Sequence, residues 1–423
     1  MSATLRTVTL GCKVNQYETE YVRQGLLRAG YRDAAADEQA DLCVVNTCTV
    51  TVEGDAKSRQ TIRRLAKRNP RSRIIVMGCY ATREPATVAA LPGVAEVVTD
   101  KRELPDLLAR HGVVDVPDGI SDFADRQRAF VKVQDGCLLR CSFCIIPHVR
   151  PNLVSRPIEA ILAEVGRLVE RGFRETILTG IHLGHYGVEW SRGRPKSDWL
   201  RLPQLVERIA GLEGDFRVRL SSIEATEVTR ELLAVMAAHP QRVCPHLHVS
   251  MQSGSEAVLR RMRRRWGARR FLDRCLLAQR TLDQPAMTTD IIVGFPGETD
   301  AEFEETCRLS REVGFSKIHV FPFSARPGTP AATMADQVPA PVKADRCRRL
   351  AELAAELRDE YFRELIGRRL RVLVESPLHD SRMIGTACRY APVELAAPPT
   401  ARRQFRDVTA AAVVDGRIVA EAC

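Results

Sequence analysis

The stretch QDGCLLRCSFCIIPH, residues 134–148, follows a short apolar run and spaces three cysteines as C-x3-C-x2-C. These are Cys137, Cys141 and Cys144, and His148 is the nearby histidine. One interpretation is a structural Cys3His zinc site that the histidine completes. The other is an iron–sulfur cubane held by three thiolates, which leaves one iron without a protein ligand and open to a substrate or cofactor. The spacing alone leaves both interpretations open.

The chain around this stretch has 423 residues and is 45% apolar, so we expect two or three domains. Its start, MSATLRTVTLGC, has neither the charged nor the apolar region of a secretory signal. No apolar run approaches the roughly 20 residues that cross a bilayer. We therefore expect a cytoplasmic protein without a membrane segment, whose thirteen cysteines serve metal or redox chemistry rather than disulfides.

The formal net charge of +10 suits a partner with a phosphate backbone. Most of the basic residues are arginine, which a GC-rich genome would also favour. Charge therefore points towards a nucleic acid without identifying one.

Three further cysteines are placed by the N-terminal pattern. From residue 4 to about 110, short β-branched runs alternate with helical patterns, which predicts a doubly wound parallel sheet. Cys12, Cys48 and Cys79 lie at, or one residue past, the carboxyl ends of separate predicted strands. Such ends line one crevice, so the three cysteines should converge. Cys43 lies in the same strand as Cys48 but faces the other side, and we interpret it as a core residue.

The rest of the chain continues as an α/β protein. Six predicted strands, AFVKVQ, TILTG, FRVRLSS, HLHVSMQ, TTDIIVGF and KIHVFPF, alternate with helical segments. Six units fall short of the eight that close a full barrel, so we predict an open, partial (βα)6 barrel. The domain boundaries we predict are 1–114 for the N-terminal sheet domain, 115–127 for a polar linker, 128–338 for the barrel, 339–366 for a connecting helix and 367–423 for a small β domain.

The cysteine trio at 137–144 follows the first strand of this partial barrel, which is where a radical S-adenosylmethionine enzyme requires its cluster. The open iron of such a cluster binds the amino and carboxylate groups of the methionine moiety, and reduction yields a 5′-deoxyadenosyl radical. The segments TGIHLG, SSIE, QSGS and DIIVGFPGET follow or end later strands, on the face where barrels carry their catalytic residues. The candidates for binding S-adenosylmethionine in these segments are Gly180, Ser222, Gln252 and Asp290.

An ordered set of motifs over residues 5 to about 335 resembles the methylthiotransferases, a family of radical S-adenosylmethionine enzymes. The motifs are LGCKVNQYETE, NTCTVT, GCYA, QDGCLLRCSFCIIP, LTGIHLGHYG, RLSSIE, HLHVSMQSGSEAVLRRMRRR and TTDIIVGFPGETDAEFEET. The resemblance implies two [4Fe–4S] clusters, an auxiliary one on Cys12, Cys48 and Cys79 and the radical-generating one on the barrel trio. It also implies an electron donor such as flavodoxin or ferredoxin. In this family one S-adenosylmethionine supplies a methyl group, carried on sulfur associated with the auxiliary cluster, and a second generates the radical that replaces a substrate C–H with C–S–CH3.

Within the family, GCKVNQYETE resembles the branch that modifies N6-threonylcarbamoyladenosine at carbon 2, next to the tRNA anticodon at position 37. In that segment Lys13 and Val14 follow Cys12. The isopentenyladenosine branch typically has glutamine and methionine there, and the ribosomal-protein branch has proline and lysine. Both branches stay open as alternatives. A zinc-stabilised RNA-binding protein without catalysis is a third, but it has no use for a second cysteine trio.

The chain departs from the family pattern in three places. HVRPNLVSRP keeps Arg150, Ser155 and Arg156 but replaces the usual basic centre of this loop by residues 151–154. Ala225 stands where the family commonly has proline. The C-terminal domain resembles the family's RNA-binding accessory barrel only loosely, so we treat it as degenerate and infer its RNA role from its position.

Three arginines are candidates for binding the substrate. RRMRRRWGARR, residues 260–270, is predicted to be one helix in which Arg264 contacts phosphate and Trp266 stacks on a base, the alternative being a solvated face. Arg156 and Arg326 are candidates for the threonylcarbamoyl carboxylate or a phosphate. His246 and His248 share one strand face, and we interpret them as barrel-interior residues rather than a metal pair. The remaining cysteines are treated as structural: Cys244, Cys275, Cys307, Cys347, Cys388 and Cys423.

Overall fold

The computed structural model describes residues 2–124, 126–379 and 382–422, and Cys423 lies outside them. The N-terminal domain is a five-stranded, entirely parallel sheet in the order β2-β1-β3-β4-β5. Its strands are β1 Thr4–Thr9, β2 Arg32–Asp33, β3 Leu42–Thr47, β4 Arg73–Gly78 and β5 Val94–Val97. Its helices are α1 Lys13–Arg28, α2 Val52–Arg68, α3 Cys79–Arg83, α4 Pro85–Ala89 and α5 Leu104–Arg110. The predicted doubly wound sheet is confirmed.

Both faces of this sheet are covered, because the alternate side chains of its central strands are apolar. In β3, Val44 packs on the face covered by α1 and α5, and Val45 on the face covered by α2 and α4. Cys43 is fully buried on the second face, and the Ser72 hydroxyl donates to its sulfur over 3.3 Å. Cys43 is therefore the core residue that its place in the strand predicts.

The central domain is an open barrel made of two four-stranded sheets. Their orders are β7-β6-β8-β9 and β10-β11-β12-β13, and a parallel bridge from Val218 to Val243 joins β9 to the chain entering β11. The strands are β6 Arg128–Asp135, β7 Val154–Ser155, β8 Glu175–Gly180, β9 Arg217–Leu220, β10 Ser222–Ile223, β11 His246–Val249, β12 Ala286–Val293 and β13 Lys317–Pro322. The helices are α6 Ile146–Val149, α7 Ile158–Glu170, α8 Val188–Ser191, α9 Leu202–Ala210, α10 Arg230–Ala238, α11 Glu256–Arg261, α12 Ala268–Thr281 and α13 Asp300–Val313. All six strands expected from the sequence are present, and the third divides into β9 and β10.

The segment between the first two domains is packed rather than solvated. Ile120 and Phe123 are buried in the core of the barrel, and the Ile120 amide donates to Glu164 of α7 over 2.7 Å. The stretch from 115 to 127 was predicted as a polar linker, but its few apolar residues attach the N-terminal domain to the barrel.

The C-terminal domain is a closed five-stranded barrel that follows the long helix α14, Ala340–Glu364. Its strands are β14 Arg369–His379, β15 Arg382–Ala387, β16 Pro392–Ala396, β17 Phe405–Val414 and β18 Arg417–Ala422. The sequence pattern predicts β14, β15 and β18 but not β16 or β17. The strand β16, PVELA, is short and begins with proline, and in β17, FRDVTAAAVV, three alanines separate the β-branched residues. The domain is thus a complete barrel, although its sequence looks degenerate.

This small barrel closes the amino-terminal end of the central barrel. Arg217 donates to the carbonyls of Arg371 and Thr386 over 2.7 and 2.8 Å, and Arg219 to that of Cys388 over 3.0 Å. Both arginines are buried and pair with Glu175 of β8. The β15–β16 turn places the Tyr390 ring 4.7 Å from that of His246. Among the helices of the described residues, none is long and apolar enough to span a membrane.

Candidate active site

The barrel trio lies on an irregular loop between the end of β6 and the start of α6. The Cys137 amide donates to the Arg150 carbonyl over 3.3 Å, and the Ser142 amide to the Met262 carbonyl over 3.0 Å. Gly136, which precedes the first cysteine, has a φ of +79°, and a Cβ there would lie 1.9 Å from the Asn152 carbonyl oxygen. A glycine is required at 136 because the chain turns tightly against a neighbouring backbone.

The three thiols of this loop lie close enough to affect one another electrostatically. Burial raises the pKa of Cys144 to about 12, and the adjacent Cys141 and Cys137 thiols contribute to the rise. Burial likewise raises the pKa of Cys141, while the guanidinium of Arg264 lowers it. Such mutual repulsion in a desolvated pocket is relieved when thiolates bind iron, which releases their protons.

The second trio forms at the carboxyl ends of three neighbouring parallel strands. Cys12 occupies the N-cap position of α1 after β1, Cys48 follows β3, and Cys79 begins α3 directly after β4. A Cβ on Gly11, beside Cys12, would lie 3.3 Å from the Cys48 sulfur. Burial raises the pKa of Cys48 to about 11, and Cys79 and Cys12 contribute to the rise. The structure therefore brings these three distant cysteines together at the crevice of the sheet.

Neither trio is arranged around a single small ion. Among the described residues, the groups of three or more ligands whose atoms lie within 4.8 Å of one another are His182, His185 and Glu227, and His248, Asp290 and His319. The three sulfur atoms of either cysteine trio do not all lie within 4.8 Å of one another. This spacing fits a cubane, because a cluster holds its thiolates farther apart than one ion does. His148 is exposed and lines a cavity of about 670 Å³ with residues of both domains. The structure therefore gives no support to the Cys3His zinc site.

Arg150 connects the two trios. Its backbone carbonyl accepts the Cys137 amide, and its Nε donates to the Cys79 sulfur over 3.4 Å. Its guanidinium forms two bonds of 2.8 Å with the two carboxylate oxygens of Glu18 in α1, and it also reaches Asp135 of β6 over 2.8 Å. Its side chain is 1% exposed. One buried arginine thus fixes the N-terminal sheet against the start of the barrel loop.

Two basic side chains contact the sulfurs of the barrel trio. Arg264 donates to the Cys141 sulfur over 3.3 Å and pairs with Glu224. His182 of the TGIHLG motif lies 3.7 Å from the Cys137 sulfur and 3.2 Å from a Glu227 oxygen. Although burial would lower it, these two contacts raise the pKa of His182 to about 9. The motif therefore supplies a histidine beside the cluster loop, a role that the sequence pattern alone does not indicate.

The S-adenosylmethionine candidates lie in strands, or just after a strand, of the barrel that carries the trio. Gly180 ends β8, and a Cβ there would lie 2.9 Å from the Gln134 side chain. Ser222 is exposed in β10, and Gln252 adopts a φ of +68° while it bridges Ile291 of β12. The left-handed conformation is uncommon for a residue other than glycine.

Asp290 lies inside the barrel with two histidines. One of its oxygens is 3.2 Å from His248 Nε2, and His319 is its register partner on β13. His246 and His248 each contact the Thr288 hydroxyl, over 3.1 and 3.0 Å, as expected of barrel-interior residues. The grouping of His248, Asp290 and His319 comes from three strands, which is why spacing along the chain does not reveal it.

The substrate-binding predictions for residues 260–270 need correction. They do not form one helix: α11 ends at Arg261, Arg263 has a φ of +57°, and α12 begins at Ala268. The Ser142 hydroxyl donates to the Arg261 carbonyl over 2.7 Å, so the barrel loop rests on this turn. Trp266 is 5% exposed and cannot stack on a base. The Arg264 side chain is 4% exposed and paired, so it is not a phosphate contact.

The other two arginine candidates are also paired within the protein. Arg326 is 2% exposed and donates to Asp55 and Thr49 of the N-terminal domain over 2.7 and 3.0 Å. Arg156 pairs with the buried carboxylate of Glu164 and donates to the Tyr17 hydroxyl over 3.0 Å. Both residues lie at the domain junction. Their guanidinium groups join the two domains there and are not free to bind a substrate.

Comparisons with known proteins agree with this arrangement. Residues 4–100 match the uncharacterized protein family UPF0004, and residues 131–310 match the radical SAM superfamily. The threonylcarbamoyladenosine tRNA methylthiotransferase MtaB of Bacillus subtilis (strain 168) is 41% identical over 90% of this chain and 86% of its own length. The tRNA-2-methylthio-N(6)-dimethylallyladenosine synthase of Corynebacterium diphtheriae is 36% identical over 87% of this chain and 75% of its own length.

A solved structure shares the fold. It is the radical S-adenosylmethionine methyltransferase TsrM from Kitasatospora setae with tryptophan and a SAM analogue, which aligns with a TM-score of 0.57 at 13% identity. The alignment covers 78% of this chain and 75% of TsrM. From the sequence relatives and the two matched families, this chain belongs to the methylthiotransferase family of radical S-adenosylmethionine enzymes, in the group of the MtaB proteins.

Proposed function

We propose that this protein adds a methylthio group to carbon 2 of N6-threonylcarbamoyladenosine at position 37 of tRNA, beside the anticodon. The observation that carries the proposal is the pair of cysteine trios, one on each domain, joined through Arg150. Radical formation alone requires one trio, whereas transfer of a sulfur-containing group requires a second site facing the first. The relative from Bacillus subtilis is named for this nucleoside.

The family uses S-adenosylmethionine and [4Fe–4S] clusters. In this chain Cys137, Cys141 and Cys144 would hold the radical-generating cluster, and the auxiliary cluster would take Cys12, Cys48 and Cys79. When bound, the first cluster and S-adenosylmethionine supply a 5′-deoxyadenosyl radical. Gly180, Ser222, Gln252 and Asp290 are the residues we assign to the cofactor.

The charged residues around the trios have a supporting role. Arg264 and His182 offer hydrogen bonds to two thiolates of the barrel cluster, and Arg150 offers one to Cys79. Each of these groups is also held by a carboxylate, which fixes its direction. Such outer contacts orient the ligands and offset the negative charge of the thiolates.

The tRNA and the electron donor both require a basic surface near the barrel loop. Arg140, Arg263 and Arg265 are exposed and line a narrow cleft that also contains Cys141 and His182. We assign this surface to phosphates of the anticodon stem-loop, with an acidic electron donor such as flavodoxin or ferredoxin approaching the same cluster. These partners are cytoplasmic, and we place the protein there.

Nucleoside analysis tests the proposal. Mass spectrometry of tRNA from cells lacking this gene should show the threonylcarbamoyladenosine without its methylthio group. The gene, and a Cys43→Ala version of it, should restore the modified form. Unchanged methylthio-threonylcarbamoyladenosine in the deletion strain, or loss of a methylthio-isopentenyladenosine instead, would contradict the assignment.

A further inference from the structure

A wide groove begins beside the mouth of the central barrel and follows α12. It has a volume of about 1050 Å³ and is lined by the starts of α9 and α10 and by one face of α12. Three separate segments of the chain supply its cations, which are Lys196, Arg201, Arg230, Arg270, Arg274 and Arg280. Only Arg270 belongs to the arginine-rich segment 260–270, so folding and not one basic run creates this surface.

The cations of the groove lack partners within the protein. None of the six forms an ion pair with a residue that the structure describes. Three carboxylates also line the groove, those of Glu227, Glu231 and Asp273, so the cations outnumber them by six to three. Glu227 is already occupied by His182. Unlike the arginines at the domain junction, which are all paired, these side chains are available to an anionic partner.

The row of arginines along α12 has the length of a short stretch of nucleic-acid strand. Arg270 and Arg280 are ten residues apart on this helix, which corresponds to about 15 Å. The phosphates of one strand of a double helix follow at roughly 3.4 Å along its axis, so the row spans about four nucleotides. A groove whose cations follow the backbone is the usual way in which proteins bind a strand without reading its bases.

The groove continues into the cleft beside the barrel cluster. His185, Thr226 and Glu227 line both the groove and the cleft, and the cleft also contains Cys141 and the exposed Arg263. An RNA whose target nucleoside enters the barrel mouth at the cluster can therefore pass its backbone directly into the groove. The C-terminal barrel, in contrast, packs at the other end of the central barrel.

We propose that this groove binds phosphates of the anticodon stem, on the strand that leads away from position 37. The inference rests on the proposed function and adds a second RNA-binding surface to the cleft beside the cluster. The cleft holds the nucleotides of the loop, and the groove holds the stem strand that continues from them. Because the contacts are to phosphates, the groove contributes affinity and register without reading the sequence of the stem.

The test compares two variants that remove the same charge from the same domain. The groove variant carries three changes at exposed residues of the groove, which are Arg230→Gln, Arg270→Gln and Arg280→Gln. The control variant carries three changes at exposed arginines of α12 and α13 that do not line the groove, which are Arg269→Gln, Arg308→Gln and Arg311→Gln. Iron content and thermal unfolding verify that each variant is folded and assembles its clusters.

Binding of an anticodon stem-loop is then measured over a range of salt concentrations. The groove variant should lower the slope of log affinity against log salt by about 0.7 for each phosphate lost, or about two units in all. The control variant should keep the slope of wild type. On a loop closed by a stem too short to reach the groove, wild type and the groove variant should bind with equal slopes. Should the groove variant not fold, the neighbouring single changes Arg270→Gln and Arg269→Gln decide, because only the first should lower the slope.

The outcomes separate this inference from the function on which it rests. If wild type forms no methylthio product on the threonylcarbamoyladenosine stem-loop, the proposed function fails and the inference falls with it. If product forms but the groove variant keeps the slope of wild type, the groove assignment fails alone. An equal loss in the control variant would show attraction to net charge only and overturn it as well. So would a groove variant that binds RNA normally but is reduced by dithionite and no longer by flavodoxin, because an acidic electron donor would then occupy the groove.

Discussion

Arg150 shows how one residue can serve both halves of this enzyme. In the sequence it belongs to the loop HVRPNLVSRP. This loop keeps Arg150 and Arg156 of the family pattern, but residues 151–154 replace the basic residues that usually lie between them. The partners of Arg150 could not be predicted, because Glu18 lies 132 residues away and Cys79 lies 71 residues away in another domain. The bidentate geometry with Glu18 also requires a guanidinium rather than an ammonium.

Replacing Arg150 by glutamine should therefore destabilise the protein strongly. The change leaves the buried carboxylate of Glu18 with Lys132 as its remaining cation, and breaking a buried pair in this way costs about 3–5 kcal/mol. Urea unfolding of the cluster-free protein measures the loss without involving iron. Arg208→Gln, which removes an exposed pair with Glu159, should stay within about 0.5 kcal/mol. Equal stability of the two variants would show that the Arg150 contacts are not formed.

The same network predicts a dependence on pH. Although burial alone would raise it, the charges of Arg150 and Lys132 lower the pKa of Glu18 to about 2, from an ordinary value of 4.5. A carboxyl whose pKa is depressed by folding stabilises the protein above its unfolded pKa and loses that contribution as pH falls through the folded value. The difference in urea midpoint between wild type and Glu18→Gln should be full above pH 4.5 and shrink towards pH 2. A difference that grows on acidification would contradict this.

Among the elements, the segment from α11 to α12 is where sequence reasoning failed most clearly. Arginines favour a helix, so RRMRRRWGARR was predicted as continuous. The helix is interrupted because Met262 and Trp266 are buried. In addition, Ser142 of the barrel loop donates hydrogen bonds to the carbonyls of Arg261 and Met262. A tertiary contact of this kind leaves no periodic signal in the sequence.

This turn makes a prediction about RNA binding. Arg263 and Arg265 are exposed on either side of the buried Arg264. Replacing the two exposed arginines by glutamine should lower the slope of log affinity against log salt by about 0.7 for each single-strand phosphate that is no longer neutralised. Arg264→Gln should leave the slope unchanged. Filter binding of an anticodon stem-loop over a range of salt concentrations measures this slope. A slope that falls in Arg264→Gln instead would show that Arg264 contacts a phosphate.

The parallel strands were the most predictable elements. The strands that precede the cysteines, β1, β3, β4 and β6, each contain several β-branched residues, and their carboxyl ends predict the positions of all six candidate cluster cysteines. The strands β16 and β17 were not predicted, because β16 is short and begins with proline and the β-branched residues of β17 are separated by three alanines. Both strands are formed by pairing within a closed barrel. Specific side-chain partners across domains, such as Arg326 with Asp55, could not be inferred for the same reason as those of Arg150.

At the scale of the whole molecule, the C-terminal barrel completes the central one. Deleting residues 367–423 would remove the carbonyls that receive Arg217 and Arg219 and leave two buried guanidinium groups with Glu175 alone. We expect the truncated protein to unfold at a lower temperature and to lose solubility, even if its role in RNA binding is small. A truncated protein as stable as the full chain in calorimetry would show that the domain is only an appendage.

The two-domain arrangement of cysteines is the central claim, and it predicts two separable activities. Anaerobically reconstituted wild type should carry about eight irons, and the Cys12→Ala, Cys48→Ala, Cys79→Ala triple variant about four. The most direct measurement incubates both proteins with S-adenosylmethionine, a reductant and an anticodon stem-loop carrying threonylcarbamoyladenosine, and quantifies 5′-deoxyadenosine and the methylthio nucleoside by mass spectrometry. Wild type should form both products, and the triple variant should form 5′-deoxyadenosine without any methylthio nucleoside. Methylthio product from the triple variant would contradict the account.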